Sequence, residues 1–344
     1  MSRDTDCDLL ARRASLDDAE AIAYLINAHA RHHCGEDRVG LDEVRTWFKS
    51  PGVQQDDTQC WWLADGTLAA YAQVYSPDFP AVWDVLHDVT VHPSFADRDG
   101  LWGEVFAWCD RYQWVARQQS GAPRAGLCCG TRIHENDEVK RKEYESRGFR
   151  HVRNETLMRV ELAEAGLADI RMPDGIKVRE LDPETDMDGY AMAYGEAFRD
   201  HWGHVDLPQD EWVRRKKAEF ESWGEMYVPG LWFLALEGDT IAGSVGSFLN
   251  YGNADGRCYL YHVFVRRAWR NRRIATALLR TAFRALQELG GRTVELHVDS
   301  DNMTYGLELY RGLGMRPVWH QHLYERTVSI PSQQSIPAPL SKAL

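Results

Sequence analysis

At 344 residues, with 44% apolar and 27% charged residues and a net charge of −12, the chain is long enough for two ordinary cores, since domains cluster near roughly 100 to 200 residues. That composition excludes disorder or low complexity for its bulk, and the excess of 52 acidic over 40 basic residues argues against a protein whose main work is gripping a nucleic-acid backbone. No stretch approaches the ~18 consecutive apolar residues of a membrane span, and the opening MSRDTDCD lacks the apolar core of a secretory signal, so a soluble, cytoplasmic chain that binds neither nucleic acid nor membrane is expected.

In chain order, Leu9 to Arg13 reads as a short strand and Ser15 as the N-cap of an apolar-periodic helix over Leu16 to Ala30. His32-His33-Cys34 offers metal-ligating residue types, but neighbours in sequence do not all reach one ion, and no metal is expected there. The seven cysteines, an odd number without a CxxC pair, indicate neither a zinc ribbon nor a disulfide framework. Cys60 to Ala64 and Leu68 to Tyr75, split by Asp65-Gly66, read as a hairpin. A strand over Val85 to Val91, a helix over Leu101 to Gln119, a strand around Ala125 to Gly130, a helix ending at Gly148 and a strand through Val160 complete the first half. Ala163 to Gly175 reads as a linker.

The second half repeats the series: strands over Lys177 to Glu180, Trp232 to Glu237, Thr240 to Phe248 and Cys258 to Val265, a helix over Ile274 to Leu289, a strand over Thr293 to Asp299, a helix over Thr304 to Leu313 and a strand over Gln321 to Arg326. The repetition extends to residues. Tyr144-Glu145-Ser146-Arg147-Gly148-Phe149 aligns with Tyr310-Arg311-Gly312-Leu313-Gly314-Met315 at an offset of 166, and Asp88 to Pro93 with His262 to Arg267 at an offset of 174. So long a period means a duplicated domain rather than a solenoid. The expected fold is α/β: two tandem domains, each a mixed, mostly antiparallel sheet flanked by helices, at residues 1–162 and 176–326, with 163–175 as linker and 327–344 as a disordered tail.

The sharpest local signal is the strand Val263-Phe264-Val265 running through Arg266-Arg267-Ala268-Trp269-Arg270-Asn271-Arg272-Arg273 into a helix that opens with Ile274-Ala275. Such a junction leaves helical N–H groups unpaired at the positive end of the helix dipole, which makes an anion site, and the five arginines are expected to reinforce it by gripping phosphate. This segment resembles the acetyl-CoA loop of the GNAT superfamily of N-acetyltransferases, whose pattern Arg/Gln-x-x-Gly-x-Gly/Ala is matched by Arg270-Asn271-Arg272-Arg273-Ile274-Ala275. Asn302 and the Leu309 to Met315 run resemble that superfamily's closing motif. Fold resemblance covers both halves, whereas the functional motifs lie only in the second. The first half's equivalent loop, Ser94 to Leu101, puts Ala96 at the key arginine and adds Asp97 and Asp99, so it is degenerate for CoA.

The resemblance implies an N-acetyltransferase with acetyl-CoA as acyl donor, bound by Val263, Phe264, Val265, Arg270, Asn271, Arg272, Arg273, Ile274, Ala275 and Asn302, with Tyr310 as general acid. Arg273 departs from the family's glycine; a helix-start position need not have positive φ, so an outward Arg273 is sterically allowed. Arg270→Ala is expected to weaken cofactor binding with little effect elsewhere. Strand alternation puts Tyr259, Tyr261 and Val263 on one face and Leu260, His262 and Phe264 on the other. The base positions by register are then Tyr259 and Tyr261, neither a good acceptor at pH 7, while His262, of suitable pKa, has the wrong face, and His297 or Asp299 would act through water. His201, Trp202, His204 and Tyr261 are candidates for holding a small-molecule amine acceptor. A monomer or homodimer is expected, and the competing reading is a non-catalytic acyl-CoA-binding or interaction module.

Overall fold

The computed structural model describes residues 9–48, 57–75, 83–120, 126–167, 171–204, 206–300 and 306–329. The chain divides into two compact units, one of residues 1–153 with 321–344 and the other of residues 154–320.

In the first unit, β1 (Leu10–Arg12) leads to α1 (Ala19–Cys34) through a 3-10 turn over Leu16–Asp18. The helix expected from Leu16 therefore begins three residues later, because the Asp18 carboxylate accepts from the Ser15 N–H at 2.8 Å and ties down the entry. A second helix, α2 (Leu41–Trp47), has no counterpart in the sequence reading; its seven residues are too short for helical periodicity to register. Strands β2 (Thr58–Trp62), β3 (Leu68–Tyr75) and β4 (Val85–Val91), helix α3 (Leu101–Ser120), strand β5 (Gly126–His134) and helix α4 (Glu138–Ser146) follow. In the second unit come β7 (Ile176–Glu180), α5 (Met187–Ala197), α6 (Gln209–Trp223), β8 (Trp232–Glu237), β9 (Thr240–Phe248), β10 (Arg257–Val265), α7 (Ile274–Glu288), β11 (Thr293–Asp299) and α8 (Gly306–Arg311). The two long strands β6 (Arg150–Glu161) and β12 (Arg316–Ser329) close the two halves of the sequence.

Strand order within the units shows the duplication directly. The first reads β1-β2-β3-β4-β5-β12 and the second β7-β8-β9-β10-β11-β6, antiparallel throughout except for the parallel pairs β4–β5 and β10–β11. Each sheet is thus completed by the final strand of the other half of the sequence, so the compact units differ from the repeat halves at residues 154–161 and 321–329. Pairing chemistry holds each exchanged strand. Arg159 of β6 donates from Nε to the fully buried Glu295 of β11 at 2.6 Å, while Tyr324 of β12 donates to Glu145 at 2.9 Å and Arg326 to the Arg147 carbonyl oxygen at 3.1 Å. Strand β12 also carries Thr327–Ser329, paired with β5, where a disordered tail was expected to begin; residues 330–344 lie outside the described residues.

The second unit's core is built on the apolar face of α7, whose Leu278, Leu279, Ala282, Phe283 and Leu286 are fully buried against β8, β9 and β10. Each such leucine or phenylalanine contributes about 1.5–3 kcal/mol when removed from water. Trp232 lies flat across β9 at Gly246, where an added Cβ would sit 2.1 Å from the indole, so only glycine lets that ring into the core.

Candidate active site

Strands β10 and β11 pair in parallel only over Arg257–Tyr259 with Thr293–Glu295. Beyond that point β10 stays bonded to β9 up to Val265 and β11 to β6 up to Asp299. The facing edges of Leu260–Val265 and Leu296–Asp299 therefore diverge, opening a notch along β10 in which the Val265 carbonyl oxygen accepts from Arg270. The sequence places Val263, Phe264 and Val265 at the cofactor. The Phe264 side chain is buried in the core and Val263 and Val265 are half-buried, so these residues can meet a ligand in the notch through their backbone.

At the head of the notch lies the arginine-rich junction. The first i to i−4 bond of α7 runs from Ala277 N–H to the Arg273 carbonyl oxygen, and no side chain caps the helix. The N–H groups of Ile274, Ala275 and Thr276 accordingly have no partner in the helix, and they point at the positive end of the dipole. Ile274 is buried, so its contribution here is its amide alone.

The guanidinium groups are arranged differently from the expectation. Four of the five are engaged by the protein: Arg266 with Glu196, Arg267 and Arg270 with Asp200, and Arg272 with Glu237 at 2.8 Å. Arg270 also donates to the carbonyl oxygens of Val265 at 3.2 Å and Ala197 at 2.9 Å. These arginines fasten the loop to the end of α5 and to β8, so Arg270→Ala would release two carbonyls and a carboxylate as well as alter the anion site. Arg270 and Arg267 together hold the Asp200 carboxyl below its ordinary value. Among the described residues Arg273 alone of the five has no hydrogen bond or ion pair, and it is exposed. Five guanidinium groups against three carboxylates leave a formal excess of two positive charges beside these amides.

The backbone corrects a second expectation. Arg273 has φ +62 and Asn271 φ +63, so the family's glycine position does require the left-handed region. Asparagine tolerates it, whereas for arginine it costs roughly 1–2 kcal/mol. Glycine's extra freedom in the unfolded chain offsets about 0.5–1 kcal/mol of any relief. Arg273→Gly is therefore expected to stabilise the protein by about 0.5–1 kcal/mol, seen as a higher urea midpoint at unchanged m-value; a lower midpoint would mean that the arginine is held by contacts that outweigh the strain.

The burial pattern of β10 alternates strictly, with Cys258, Leu260, His262 and Phe264 inside and Tyr259, Tyr261, Val263 and Val265 half-buried on the other face. A bulge lies at Tyr261, between Leu260 and His262, and the Tyr261 ring packs against Trp223 and Phe248. His262 is excluded as a base on both counts: it faces the core, and burial with nearby Lys216 pushes its pKa well below the ordinary imidazole value. Tyr261 donates to the Glu219 carboxylate of α6, whose other oxygen accepts from the fully buried Lys216 ammonium at 2.7 Å. Lys216 in turn sits 3.5 Å from the centroid of the Tyr194 ring. Glu219 escaped the sequence reading because α6 is rich in charge and shows Glu211, Glu219 and Glu221 alike as solvated helix residues; only the packing of α6 on β10 distinguishes one of them.

On the other flank, Tyr310 of α8 is half-buried near Val298 and Tyr259, and burial first and Tyr259 second push its pKa up to about 12. Tyr259 pairs with His297 Nδ1 at 3.0 Å, and the Tyr251 ring stacks on Tyr259 at 4.7 Å between centroids. Tyr144, the repeat equivalent of Tyr310, is fully buried, and that burial pushes its pKa well above the ordinary value. The recurrence thus joins a sealed core residue to an accessible one.

Of the acceptor candidates, Tyr261 lies on the site face. His201 and Trp202 are exposed in the turn after α5, with the His201 ring packed 4.6 Å from Phe198, and His204 is turned onto Trp212 and Asp206. Asn302 lies outside the described residues.

Comparison with known proteins agrees with this geometry. The acetyltransferase (GNAT) family matches residues 193–315. A mycothiol acetyltransferase of Pseudarthrobacter chlorophenolicus is 28% identical over 72% of this chain and 71% of its own length; one of Kineococcus radiotolerans is 32% identical over 46% of this chain and 49% of its own. Among solved structures, a GCN5-related N-acetyltransferase from Sphaerobacter thermophilus superposes with a TM-score of 0.75 at 28% identity, covering 94% of this chain and 97% of that one. A tandem GNAT protein from the clavulanic acid biosynthesis pathway shares the fold at 14% identity and a TM-score of 0.72, over 94% and 100%. A chain that builds this fold twice and carries the family's signature in its second half resembles the tandem GNAT proteins, its residues 193–315 matching a family of acetyltransferases whose acyl donor is acetyl-CoA.

Proposed function

We propose that the second unit transfers the acetyl group of acetyl-CoA to the amine of a small molecule by direct attack, with Glu219 drawing the amine proton through Tyr261 and Tyr310 assisting departure of the thiol. The observation that carries this reading is the pairing of two proton-handling groups, Tyr261–Glu219 and Tyr310, on the two flanks of one notch. Acetyl-CoA supplies an activated acyl thioester. The amides of Ile274, Ala275 and Thr276 and the Asn271–Arg273 loop suit its diphosphate, and the β10 edge at Val263, which β11 does not pair, suits hydrogen bonding to its amide-bearing arm.

An ammonium acceptor has to lose a proton before it attacks. Tyr261 Oη can take that proton only as it gives its own to Glu219, whose other oxygen accepts from the Lys216 ammonium. Tyr310 holds its proton throughout the neutral range because burial raises its pKa to about 12. Full transfer to a thiolate of ordinary pKa ~8.5 would be uphill by about 5 kcal/mol. Hydrogen-bond donation to the developing charge is therefore the larger part of its role.

Two further readings rest on the same site. The aromatic wall of Trp223, Phe248, Tyr251, Tyr259 and Tyr261 suits an acceptor with a broad face, such as a sugar ring. The likeness to mycothiol acetyltransferases makes the des-acetyl form of mycothiol the first acceptor to try. Thiol release from acetyl-CoA across a panel of amines, amino sugars and this compound tests the proposal: release that depends on an added amine is expected, and hydrolysis alone with every amine would refute it.

A further inference from the structure

In the first unit, β4 and β5 pair in parallel only at Val85–Cys129 and Leu86–Gly130, so the notch of the second unit recurs. A cavity of about 400 Å³ occupies it, lined by Val91, Pro93, Ala96, Asp97 and Trp102 from the β4–α3 junction. At the repeat offset of 174 these are the equivalents of Val265, Arg267, Arg270, Asn271 and Thr276. The polarity is reversed: where the second unit has guanidinium groups, this one presents Asp97, Asp137, Glu138 and the imidazoles of His29, His32 and His33. A pocket so lined rejects a diphosphate and suits a cation.

Three of these side chains converge. His29 and His33 stand one turn apart on α1, so both rings leave the same helix face. Asp137 caps α4, its Oδ1 accepting from the Lys140 N–H at 3.0 Å, which leaves Oδ2 directed at the two histidines. His29 Nε2 lies 2.8 Å and His33 Nε2 3.8 Å from that oxygen, and the three ligand atoms all lie within 4.8 Å of one another. Donors about 2.0–2.1 Å from a tetrahedral ion stand about 3.4 Å apart, so shifts of a few tenths of an ångström to about an ångström would place all three on one centre. Lys140, the nearest lysine, directs its ammonium to the Val89 carbonyl oxygen at 2.8 Å. Adjacency excluded His32-His33-Cys34 as a ligand set; the fold instead joins two histidines at helical spacing to an aspartate more than a hundred residues away.

We propose that the first unit binds one divalent cation of the zinc class through His29, His33 and Asp137, with an open coordination position facing the cavity. Two imidazoles and a carboxylate select a late first-row metal over Mg²⁺, and three protein ligands beside a cavity leave room for water or an anionic ligand as the fourth.

The test uses the full-length, tag-free chain stripped with EDTA and titrated with Zn²⁺ against a chromophoric chelator, with Co²⁺ as spectroscopic probe and Mg²⁺ as control. One Zn²⁺ per chain, a visible Co²⁺ band and no uptake of Mg²⁺ are expected. His33→Ala should weaken Zn²⁺ binding by at least about 100-fold, the upper end of the effect of outer-shell partners. Asp137→Asn keeps a capping side chain and should also lose the site, with far-UV circular dichroism and Tm in EDTA unchanged to show that the variants fold. No stoichiometric Zn²⁺ uptake by the wild type, or equal uptake by wild type and a folded His29→Ala/His33→Ala variant, would overturn the proposal.

Discussion

Glu219→Gln is expected to lower kcat/KM for the amine about 10²–10⁴-fold, the range of general acid–base assistance, with acetyl-CoA affinity unchanged. The amide keeps the shape of the side chain and a hydrogen bond to Tyr261 but accepts no proton. The split between an unchanged acetyl-CoA affinity and a lowered kcat/KM for the amine is a readout that a merely structural role would not give. Because Glu219 also balances the buried Lys216, some loss of stability accompanies the change: removing one partner of a buried pair typically costs about 3–5 kcal/mol. Turnover is therefore to be compared below the variant's Tm. A folded variant with wild-type kcat/KM would remove Glu219 from the mechanism.

Tyr310→Phe is expected to reduce kcat about 10²–10³-fold, as does loss of one donor to a developing anion, with little change in acetyl-CoA affinity. A hydroxyl titrating near 12 stays protonated across the neutral range, so the pH profile keeps its shape while its height drops. The matching Tyr144→Phe should leave turnover untouched, because Tyr144 is sealed in the core of the first unit. Retention of full turnover by Tyr310→Phe would remove the assigned acid.

The sequence revealed most where local patterns and tertiary environment agree. Strands such as Val85–Val91, Trp232–Glu237, Thr240–Phe248 and Thr293–Asp299 matched to the residue because apolar runs end at turn residues or at charged loops. The duplication was legible from aligned residues, but the exchange of β6 and β12 was not, since hydrogen-bond partners in a sheet leave no trace in the pattern of either strand. The junction before α7 was found by its composition, yet composition did not reveal where the arginines point. Their carboxylate partners Glu196, Asp200 and Glu237 come from 35 to 70 residues upstream. The same holds for Glu219, whose role follows from the packing of α6 against a bulge in β10 that no periodicity encodes.

The account stands most directly on where acetyl-CoA binds, and a crystal structure of the complex measures that. The diphosphate is expected on the backbone amides at the start of α7 around Arg273–Thr276, with the acyl carbon in the opening between Leu260–Val265 and Leu296–Asp299, between Tyr261 and Tyr310. A coenzyme found at the β4–α3 junction of the first unit, or no coenzyme at α7 at saturating concentration, would contradict it.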